Sequence, residues 1–590
     1  MKLVEVLLFA LGGVWQGIRQ DFNLLEIIII AGLALAWKRG WRPTRTAMVQ
    51  MRRPALAAVV LAIGFVALRV ALVPLMPVPV PVVTDEFSHL LLADTLLHGR
   101  VANPVHPFWP HFESIHILMR PHYVSVYFPG HAMWLAAGRF FTGSPWPGVL
   151  AECAGFLIAL YWMLRGWMPS HWALFGVLLA GLRFAIGSYW INAYHGGFLP
   201  AIGGALVAGA FARLFMMWGG PPGPQPTPSS ASALRTSVGP DQGVRRGRGR
   251  APHSGFFGTS IWQGFVFGIG LAILASTRPL EGALYSIPFV AVLAWDFRRN
   301  AIALAVAAVP VLICAGALGT YFSRVTGSPF VTAYQINQKT YGWPMTLAFL
   351  KPPVVEHHNI EFARYYEYEM SEHQRVDGPV HFLQFLTFRM QEYWRFFLGP
   401  ALTVPLLMIK HVWRRRRMLL IGASGGLFAV LIEGGASPHY LAPAAAVLIA
   451  IVVECCRHLR ASRVYVVKFL PVAMALVLTL RIGAQSLGLP YTQKLNFQSW
   501  CCRVEGNQNK ARIAAVLDLI PGDHLVFVRE KTDEYNLLQW IYNDADIDRS
   551  RIVWARDLGP ERDAELVRYY AGRTVWMVDP NVEPATLVKF

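Results

Sequence analysis

The carboxylates Asp85 and Glu86 are adjacent in the chain, and their position suits them to acid–base chemistry. They follow an apolar run, Pro54 to Val73, that is long enough to cross a bilayer, and then four prolines through which a helix cannot continue: Pro74, Pro77, Pro79 and Pro81. A carboxylate close to a bilayer is partly desolvated, which raises its basicity, so the pair could act as a general base toward an acceptor hydroxyl or amine. Acids in a first helical turn also complement the helix dipole, and spacing alone favours neither interpretation.

The residues around this pair predict the element that positions it. Thr84 is the expected N-cap of a short helix, with Asp85 and Glu86 in its first turn. Apolar side chains on one face, followed by Gly99 as a stop, predict that this helix is amphipathic and lies along the membrane surface.

Three further polar residues lie in the same predicted outer loop, residues 77–126: His111, Glu113 and His116. Their spacing does not match the His-Glu-x-x-His pattern of zinc-binding helices. A divalent cation bridging Glu113 and the region of Asp85 is conceivable, but a structural or substrate-binding role is favoured. We therefore predict that all three bind substrate, and the metal stays unassigned.

Arg278 lies beside the helix-breaking Pro279 at the end of an apolar run, where an arginine is costly unless it meets an anion. It is a candidate phosphate ligand, and the alternative is a snorkelling side chain paired with Glu281. Further polar groups are predicted on the same membrane face, and three of them join Arg278 as candidate substrate-binding residues: Lys351, His439 and Tyr440. Acids, an arginine and histidines that converge at one interface would suit an enzyme acting on a lipid-phosphate donor.

The composition identifies a polytopic membrane protein, because 54% of the 590 residues are hydrophobic and only 15% are charged. The formal net charge of +18 could indicate nucleic-acid binding, but the basic residues form short clusters between apolar runs, including an Arg-Gly run at 245–250. This is the distribution of cytoplasmic loops, so we expect no nucleic-acid partner. The same rule places Asp85 and Glu86 on the extracytoplasmic face of the inner membrane. The six cysteines match neither a metal site nor a disulfide framework.

About 12–14 membrane spans are expected. After Pro54–Val73, the candidates are 127–142, 148–165, 170–187, 197–217, 258–275, 283–296, 301–320, 397–412, 417–433, 440–455 and 464–482. The parity of crossings fails before residue 218, and the glycines at 187, 196 and 197 predict a broken helix or a tight pair in this region.

We divide the chain into an all-α membrane domain, 1–484, and a small extracytoplasmic α/β domain, 485–590. The membrane domain includes a Pro- and Arg-rich cytoplasmic loop, 219–254, predicted to be disordered, and a second outer loop, 321–396. The tail alternates helices, 511–520 and 561–570, with strands at 524–528, 551–555 and 574–578. No Gly-rich phosphate loop opens either helix, so we expect a cap or a partner-binding domain.

Two features carry a resemblance to a known family: the outer loop that opens with Asp85-Glu86 after an early span, and Tyr127-Phe128-Pro129-Gly130 at the next span. Other segments are similar to a bacterial subgroup of glycosyltransferase-like membrane proteins: Asp85-Glu86-Phe87-Ser88, Asn103-Pro104-x-His106-Pro107, His111-Phe112-Glu113-Ser114, Arg278-Pro279-x-Glu281-Gly282 and Pro438-His439-Tyr440. The sequence resembles the GT-C membrane glycosyltransferases, in particular bacterial relatives of the dolichyl-phosphate-mannose protein mannosyltransferases and of the lipid A aminoarabinose transferase. The resemblance covers most of the membrane domain. It departs from the family in the insert at 219–254 and in the α/β tail.

The resemblance implies a helical membrane bundle and an inverting transfer of a sugar from a polyprenyl-phosphate carrier to a lipid, glycan or protein acceptor. Asp85 matches the position of the catalytic base, with Glu86 beside it. Arg278, with His439 or Lys351, would stabilise the charge on the departing phosphate. The family includes metal-dependent and metal-independent members, so the resemblance leaves a divalent cation open.

Two other functions compete with this one. A transporter or flippase for a lipid-linked glycan would fit the broken helix near 187–197, but it should place ionisable groups at mid-membrane and show inverted repeats, which the sequence lacks. A scaffold whose tail binds a partner is the third possibility. The sequence does not specify the sugar, the acceptor or the oligomeric state.

Overall fold

A computed structural model describes residues 23–38, 53–217, 253–342, 347–350, 353–357, 359–374, 378–435, 437–461, 465–487, 498–502, 506–529 and 539–590. Within these ranges, seven helical segments are long and apolar enough to cross a membrane, and four shorter apolar helices accompany them. The chain is therefore an integral membrane protein with an all-α polytopic bundle, as predicted. The count of 12–14 spans stays a prediction, since the apolar segment from Leu3 to Ile18 lies outside the described residues.

The helices of the first half agree closely with the predicted spans. They are α1 Asn23–Lys38, α2 Pro54–Ala71, α3 Thr84–Leu97, α4 Trp109–Phe112, α5 Pro129–Thr142, α6 Trp146–Trp167, α7 Ser170–Phe184, α8 Tyr189–Asn192 and α9 Phe198–Met217. The predicted break is present, because α7 ends at Phe184 and only the four-residue α8 intervenes before α9. Most of the predicted cytoplasmic loop 219–254 lies outside the described residues.

The second half continues with α10 His253–Thr277, α11 Pro279–Trp295, α12 Phe297–Thr326, α13 Ala333–Tyr341, α14 Ile360–Gln374, α15 Pro379–Tyr393, α16 Gly399–Thr403, α17 Ile409–Ile432, α18 Ala445–Ala461 and α19 Leu470–Ser486. A 3-10 segment, Pro438–Ala444, leads into α18. The second loop, 321–396, thus contains three helices, and α15 with the residues after it forms the candidate span Pro379–Trp413.

The helix that carries the acidic pair differs from its prediction in two ways. Val83, not Thr84, is the N-cap, because the Glu86 carboxylate takes over the capping role by accepting from the N–H groups of Val82 (2.9 Å) and Val83 (3.3 Å). The helix also lacks a broad solvent-exposed face, since ten of its fourteen residues are buried, among them Ser88 and Asp94. The cause is the C-terminal domain, whose Ala545 N–H donates to Asp94 at 2.8 Å.

The small C-terminal α/β domain is confirmed. The strands are numbered from the first loop, where β1 Ile117–Leu118 pairs with β2 Val124–Ser125 in antiparallel fashion. The domain contains α20 Gln508–Leu519 and α21 Pro560–Tyr569 with a four-stranded sheet in the order β4-β3-β5-β6, formed by β3 His524–Val528, β4 Ile552–Arg556, β5 Thr574–Asp579 and β6 Thr586–Lys589. The strand β3 pairs in parallel with β4 and β5, whereas β6 pairs with β5 in antiparallel fashion. The sequence predicted three of these strands and missed β6, which is short and largely exposed.

The C-terminal domain packs onto the first loop, 77–126. One apolar cluster joins side chains of α3 and this loop to the sheet: Leu91, Phe112, Ile117, Met119 and Tyr123 with Leu525, Phe527, Val553 and Met577. The Tyr123 hydroxyl also donates to the Asn543 carbonyl at 2.8 Å. A disulfide joins Cys501 to Cys502 before α20, a pairing that the cysteine spacing did not predict.

A close backbone approach fixes the 3-10 segment that carries His439. A Cβ atom built on Gly204 of α9 would lie 1.8 Å from the Pro443 carbonyl oxygen. Backbone cannot move away from such a clash as a flexible side chain can, so only glycine fits at this position.

Replacing Gly204 with alanine should therefore destabilise the bundle by about 1–3 kcal/mol, the usual cost of overpacking. Thermal unfolding of the purified protein measures the effect. The matched control is Gly316→Ala in α12, where an added Cβ meets nothing within 4 Å and the change should be neutral or slightly stabilising. Equal unfolding temperatures for the two variants would contradict the packing argument.

Candidate active site

Asp85 is the exposed member of the acidic pair, with 26% of its side chain accessible. Its Oδ1 accepts a hydrogen bond of 2.6 Å from the Tyr127 hydroxyl and contacts Nδ1 of His116. Its Oδ2 lies 4.0 Å from Nε2 of His195. The carboxylate is thus held on one side by two donors and faces a second imidazole on the other.

Glu86 is fully buried, and its Oε1 lies 4.0 Å from Nδ1 of His195, so this ring lies between the two carboxylates. In addition to Val82 and Val83, the N–H of Tyr194 donates to its Oε2 at 2.8 Å. These bonds tie the start of α3 to the break between α8 and α9. Backbone donors therefore satisfy the buried Glu86 carboxylate, and these bonds fix the position of the start of α3.

His116 connects the first loop with α14. Its Nε2 pairs with the Tyr365 hydroxyl at 3.1 Å, and the Thr84 hydroxyl lies 3.0 Å from its Nδ1. A neutral imidazole that donates from Nδ1 to Asp85 accepts the Tyr365 proton at Nε2, whereas an imidazolium donates from both nitrogens. The backbone of His116 has φ of 62°, unusual for a residue other than glycine, and its carbonyl oxygen is held by the Ser88 hydroxyl at 2.7 Å.

The electrostatics keep Asp85 ionised. Burial alone would raise the pKa of Asp85, but the charge and hydrogen bond of His116, the charge of His195 and the hydrogen bond from Tyr127 outweigh it, so the pKa lies below its usual range. The pKa of Tyr127 is raised by burial and by the neighbouring Asp85 charge, so its hydroxyl stays a donor.

A row of rings leads from Asp85 to Arg278. The ring centroids of His195 and His439 are 5.5 Å apart, and His439 Nδ1 pairs with the Tyr189 hydroxyl at 3.0 Å. The ring of Tyr440 follows, 4.7 Å from that of His439. The Arg278 guanidinium lies over the Tyr440 ring at 4.4 Å.

Arg278 also forms an ion pair with Glu281 at 3.4 Å, the contact of the snorkelling alternative. Burial would lower the pKa of Arg278, but the charges of Glu281, Tyr440 and Glu433 raise it above its ordinary value. The guanidinium therefore stays charged, and 17% of its side chain is exposed. The structure thus brings Asp85, His116, Arg278, His439 and Tyr440 together.

The structure places the His111 ring against the C-terminal domain and the Glu113 carboxylate against the second loop. His111 Nε2 pairs with Asp563 at 3.2 Å. The Glu113 carboxylate accepts from the Tyr341 hydroxyl at 2.7 Å and from Asn359 at 2.8 Å. None of these contacts is with Asp85, so their substrate-binding role stays a prediction. Lys351 lies outside the described residues.

No group of three or more His, Cys, Asp or Glu side chains is arranged to hold a metal ion in the described part of the chain. The two carboxylate oxygens of Glu113 are occupied by Tyr341 and Asn359, so the contacts do not indicate a cation between Glu113 and Asp85. The metal stays unassigned.

Sequence reasoning missed three residues of the site. It gave the Tyr127-Phe128-Pro129-Gly130 segment no part in the site, but the Tyr127 hydroxyl donates directly to Asp85. Tyr365 lies in the second loop, with no local signal. The buried His89 ring stacks on Tyr127 at 4.6 Å, and its Nδ1 has no hydrogen-bond partner among the described residues. Burial and the charges of His131 and Arg278 lower its pKa well below the usual value, so it is neutral.

Removing the Tyr127 hydroxyl should raise the pKa of Asp85. A hydrogen bond to a charged group contributes about 1.5–3 kcal/mol, so the titration midpoint in Tyr127→Phe should rise by about one to two pH units. A depressed carboxylate pKa stabilises the fold above the unfolded-state pKa, and this stability is lost as pH falls through the folded-state pKa. The Tyr127→Phe variant should therefore lose this stabilisation at a higher pH than the unaltered protein does.

Infrared difference spectra of the carboxyl band against pH measure this titration. Asp85→Asn identifies the band that belongs to Asp85. An unchanged midpoint in Tyr127→Phe would show that the hydroxyl does not stabilise the charged form.

Comparisons with known proteins add a structural likeness only. No protein-family model matches the sequence, and no curated protein sequence matches it either. Among solved structures, the chain is similar to apo ArnT from Cupriavidus metallidurans, with 14% identity over 89% of this chain and 93% of that one and a TM-score of 0.43. ArnT bound to undecaprenyl phosphate gives 13% identity, coverages of 88% and 92%, and a TM-score of 0.45.

An oligosaccharyltransferase from Archaeoglobus fulgidus, tethered to an acceptor peptide, gives 11% identity over 90% of this chain and 69% of that one, with a TM-score of 0.45. The lipid A aminoarabinose transferase named from the sequence is thus among the structures that this chain resembles. At these identities and TM-scores, the likeness carries no argument about the reaction, which must be argued from the site itself.

Proposed function

We propose that this protein is a membrane glycosyltransferase that moves a sugar from a polyprenyl-phosphate carrier to an acceptor. The observation that carries the proposal is the presence, in one polar site, of two partly exposed groups of opposite charge, the carboxylate of Asp85 and the guanidinium of Arg278. Such a pair serves a displacement that needs a base at one end and an anion ligand at the other. The class of donor is taken from the sequence resemblance.

In the proposed mechanism, an acceptor oxygen or nitrogen attacks the anomeric carbon from the face opposite the lipid phosphate. The acceptor proton passes to Asp85 as the new bond forms. The bond between the anomeric carbon and the phosphate oxygen breaks, and its electron pair leaves with the phosphate. Arg278 stabilises the charge that this oxygen gains, with His439 and Tyr440 beside it. One displacement of this kind inverts the anomeric configuration.

The low pKa of Asp85 determines how long this residue holds the proton that it takes from the acceptor. Asp85 is ionised at neutral pH and ready to accept a proton, but the positive neighbours make it a weak base. Asp85 needs to hold the proton only while the acceptor bond forms, and we propose that its partly exposed carboxylate then releases the proton to water. Glu86 acts as a positioning residue, since all of its hydrogen bonds described above are with backbone N–H groups.

We propose, from the distribution of basic clusters in the sequence, that the site and the C-terminal domain face the extracytoplasmic side of the inner membrane. The donor would then reach the site from the surrounding lipid. The acceptor is a lipid, a glycan or a protein. A divalent cation has no assigned role.

The break between α7 and α9 favours a second candidate, a transporter or flippase of a lipid-linked glycan. Residues 185–197 interrupt the helices, and Asn192 and His195 are buried there. Discontinuous helices with buried polar groups are typical of transporters. A transporter would leave the lipid-linked sugar intact, whereas a transferase would cleave it.

Replacing Asp85 with asparagine should lower sugar transfer by about 10²–10⁴-fold, the usual contribution of a general base. Purified protein incubated with polyprenyl-phosphate sugars, followed by release of the polyprenyl phosphate, measures this. Asp518→Asn is the matched control, because Asp518 is exposed on α20. Equal turnover by Asp85→Asn and the unaltered protein would overturn the assignment, and intact donor moved across vesicles would favour the transporter.

Two substitutions of Arg278 separate the effect of its positive charge from that of its guanidinium geometry. Arg278→Gln should lower kcat by about 10²–10³-fold, because the developing phosphate charge loses its cation. Arg278→Lys should recover part of that rate, since lysine keeps the charge but not the planar fork of donors. Steady-state kinetics measure both variants. If Arg278→Lys and Arg278→Gln each changed only KM, Arg278 would bind the ground state and not the transition state.

A further inference from the structure

A second polar cavity, of about 460 Å³, lies in the bundle away from Asp85. Its walls come from the start of α7 and the end of α18, and the lining side chains are His171, Trp172, Glu454, Arg457, His458 and Arg460. None of these residues belongs to the candidate active site.

The two helices place this cavity at the opposite end of the bundle. Arg460 follows His439 by 21 residues, and at 1.5 Å per residue the intervening segment is about 30 Å long. His171 begins the helix α7, whose other end leads into the break that contains His195. The cavity and Asp85 therefore lie near opposite ends of the same spans.

The charge of the cavity is positive. Glu454 forms ion pairs with Arg457 and with His458, the latter at 3.4 Å, so its negative charge is matched within the wall. Arg460 adds a second guanidinium, exposed at the end of the helix, 5.9 Å from the Trp172 ring. The ring of His411 in α17 stacks on His458 at 4.8 Å and brings a third helix to the group.

Basic residues at the end of a span are common topology signals. This group differs because it lines a concave cavity, in which the Trp172 ring of α7 faces the basic side chains of α18. Two guanidinium groups in one cavity wall suit a phosphate oxyanion, and a position at the end of spans suits a lipid head group.

We propose that this cavity binds the phosphate group of an anionic phospholipid, in the leaflet opposite the one that Asp85 faces. Arg460 holds the phosphate oxygens, Arg457 lies beside them in its ion pair with Glu454, and Trp172 packs against the glycerol backbone. This inference does not depend on sugar transfer, since lipid binding is measured without any donor.

The test uses full-length protein in detergent, with native mass spectrometry and thermal unfolding as readouts. Short-chain phosphatidylglycerol should bind and raise the unfolding temperature, whereas phosphatidylcholine should do so at least tenfold more weakly. Arg460→Gln should weaken phosphatidylglycerol binding about tenfold. Arg417→Gln, an exposed basic residue of α17 outside the cavity wall, is the matched control and should leave binding unchanged.

His171→Ala provides a second variant at an exposed wall residue, in case Arg460→Gln fails to fold, and should also weaken phosphatidylglycerol binding. Equal binding of the two lipids would overturn the proposal, and so would an equal loss in Arg417→Gln. A rise in unfolding temperature with inorganic phosphate but none with phosphatidylglycerol would show that the ligand is not a phospholipid, and would overturn the proposal.

Discussion

The site depends on the burial of the Glu86 carboxylate against backbone N–H groups. A buried carboxylate is costly unless donors satisfy it, and Val82, Val83 and Tyr194 do so. Successive residues on a helix are about 100° apart, so fixing Glu86 toward the bundle interior turns Asp85 toward a different face. That face is where His116 and Tyr127 lie, and His195 lies between the two carboxylates. The two acids therefore have different surroundings, because the backbone N–H groups bind the Glu86 carboxylate and leave that of Asp85 partly exposed.

The C-terminal domain contributes to the same site from a distance. Arg556 of β4 donates to the Glu113 carbonyl oxygen at 2.9 Å and pairs with Glu361 of α14. One turn further along α14, Tyr365 reaches His116, which contacts Asp85. A domain without predicted chemistry thus holds the helix that supplies a partner of His116. The contact of His111 with Asp563 and the bond from Arg556 to Glu113 belong to the same interface between the first loop and the C-terminal domain.

The sequence predicted what depends on local pattern. The length of the apolar runs located most of the membrane helices. The alternation of helical and strand segments in the tail located three strands, and the acidic pair after the prolines located Asp85. It did not predict partners that packing brings together across the chain: Tyr127 is 42 residues from Asp85, and Tyr365 is 249 from His116. The N-cap was misplaced by one residue because Glu86 caps from within the helix. Polarity alone also could not tell His116, which faces Asp85, from His111, which faces Asp563.

The position of the helix break helps to distinguish a transferase from a transporter. Transporters place broken helices and their ionisable groups near the middle of the membrane. Here α7 runs 15 residues and α9 runs 20 residues away from the break, which at 1.5 Å per residue is about 22 Å and 30 Å. The break with His195 therefore lies near one end of the bundle, beside Asp85. A carboxylate and an arginine at the mouth of the spans can meet a lipid head group and a polar acceptor together, an arrangement that suits transfer between them better than passage across the membrane.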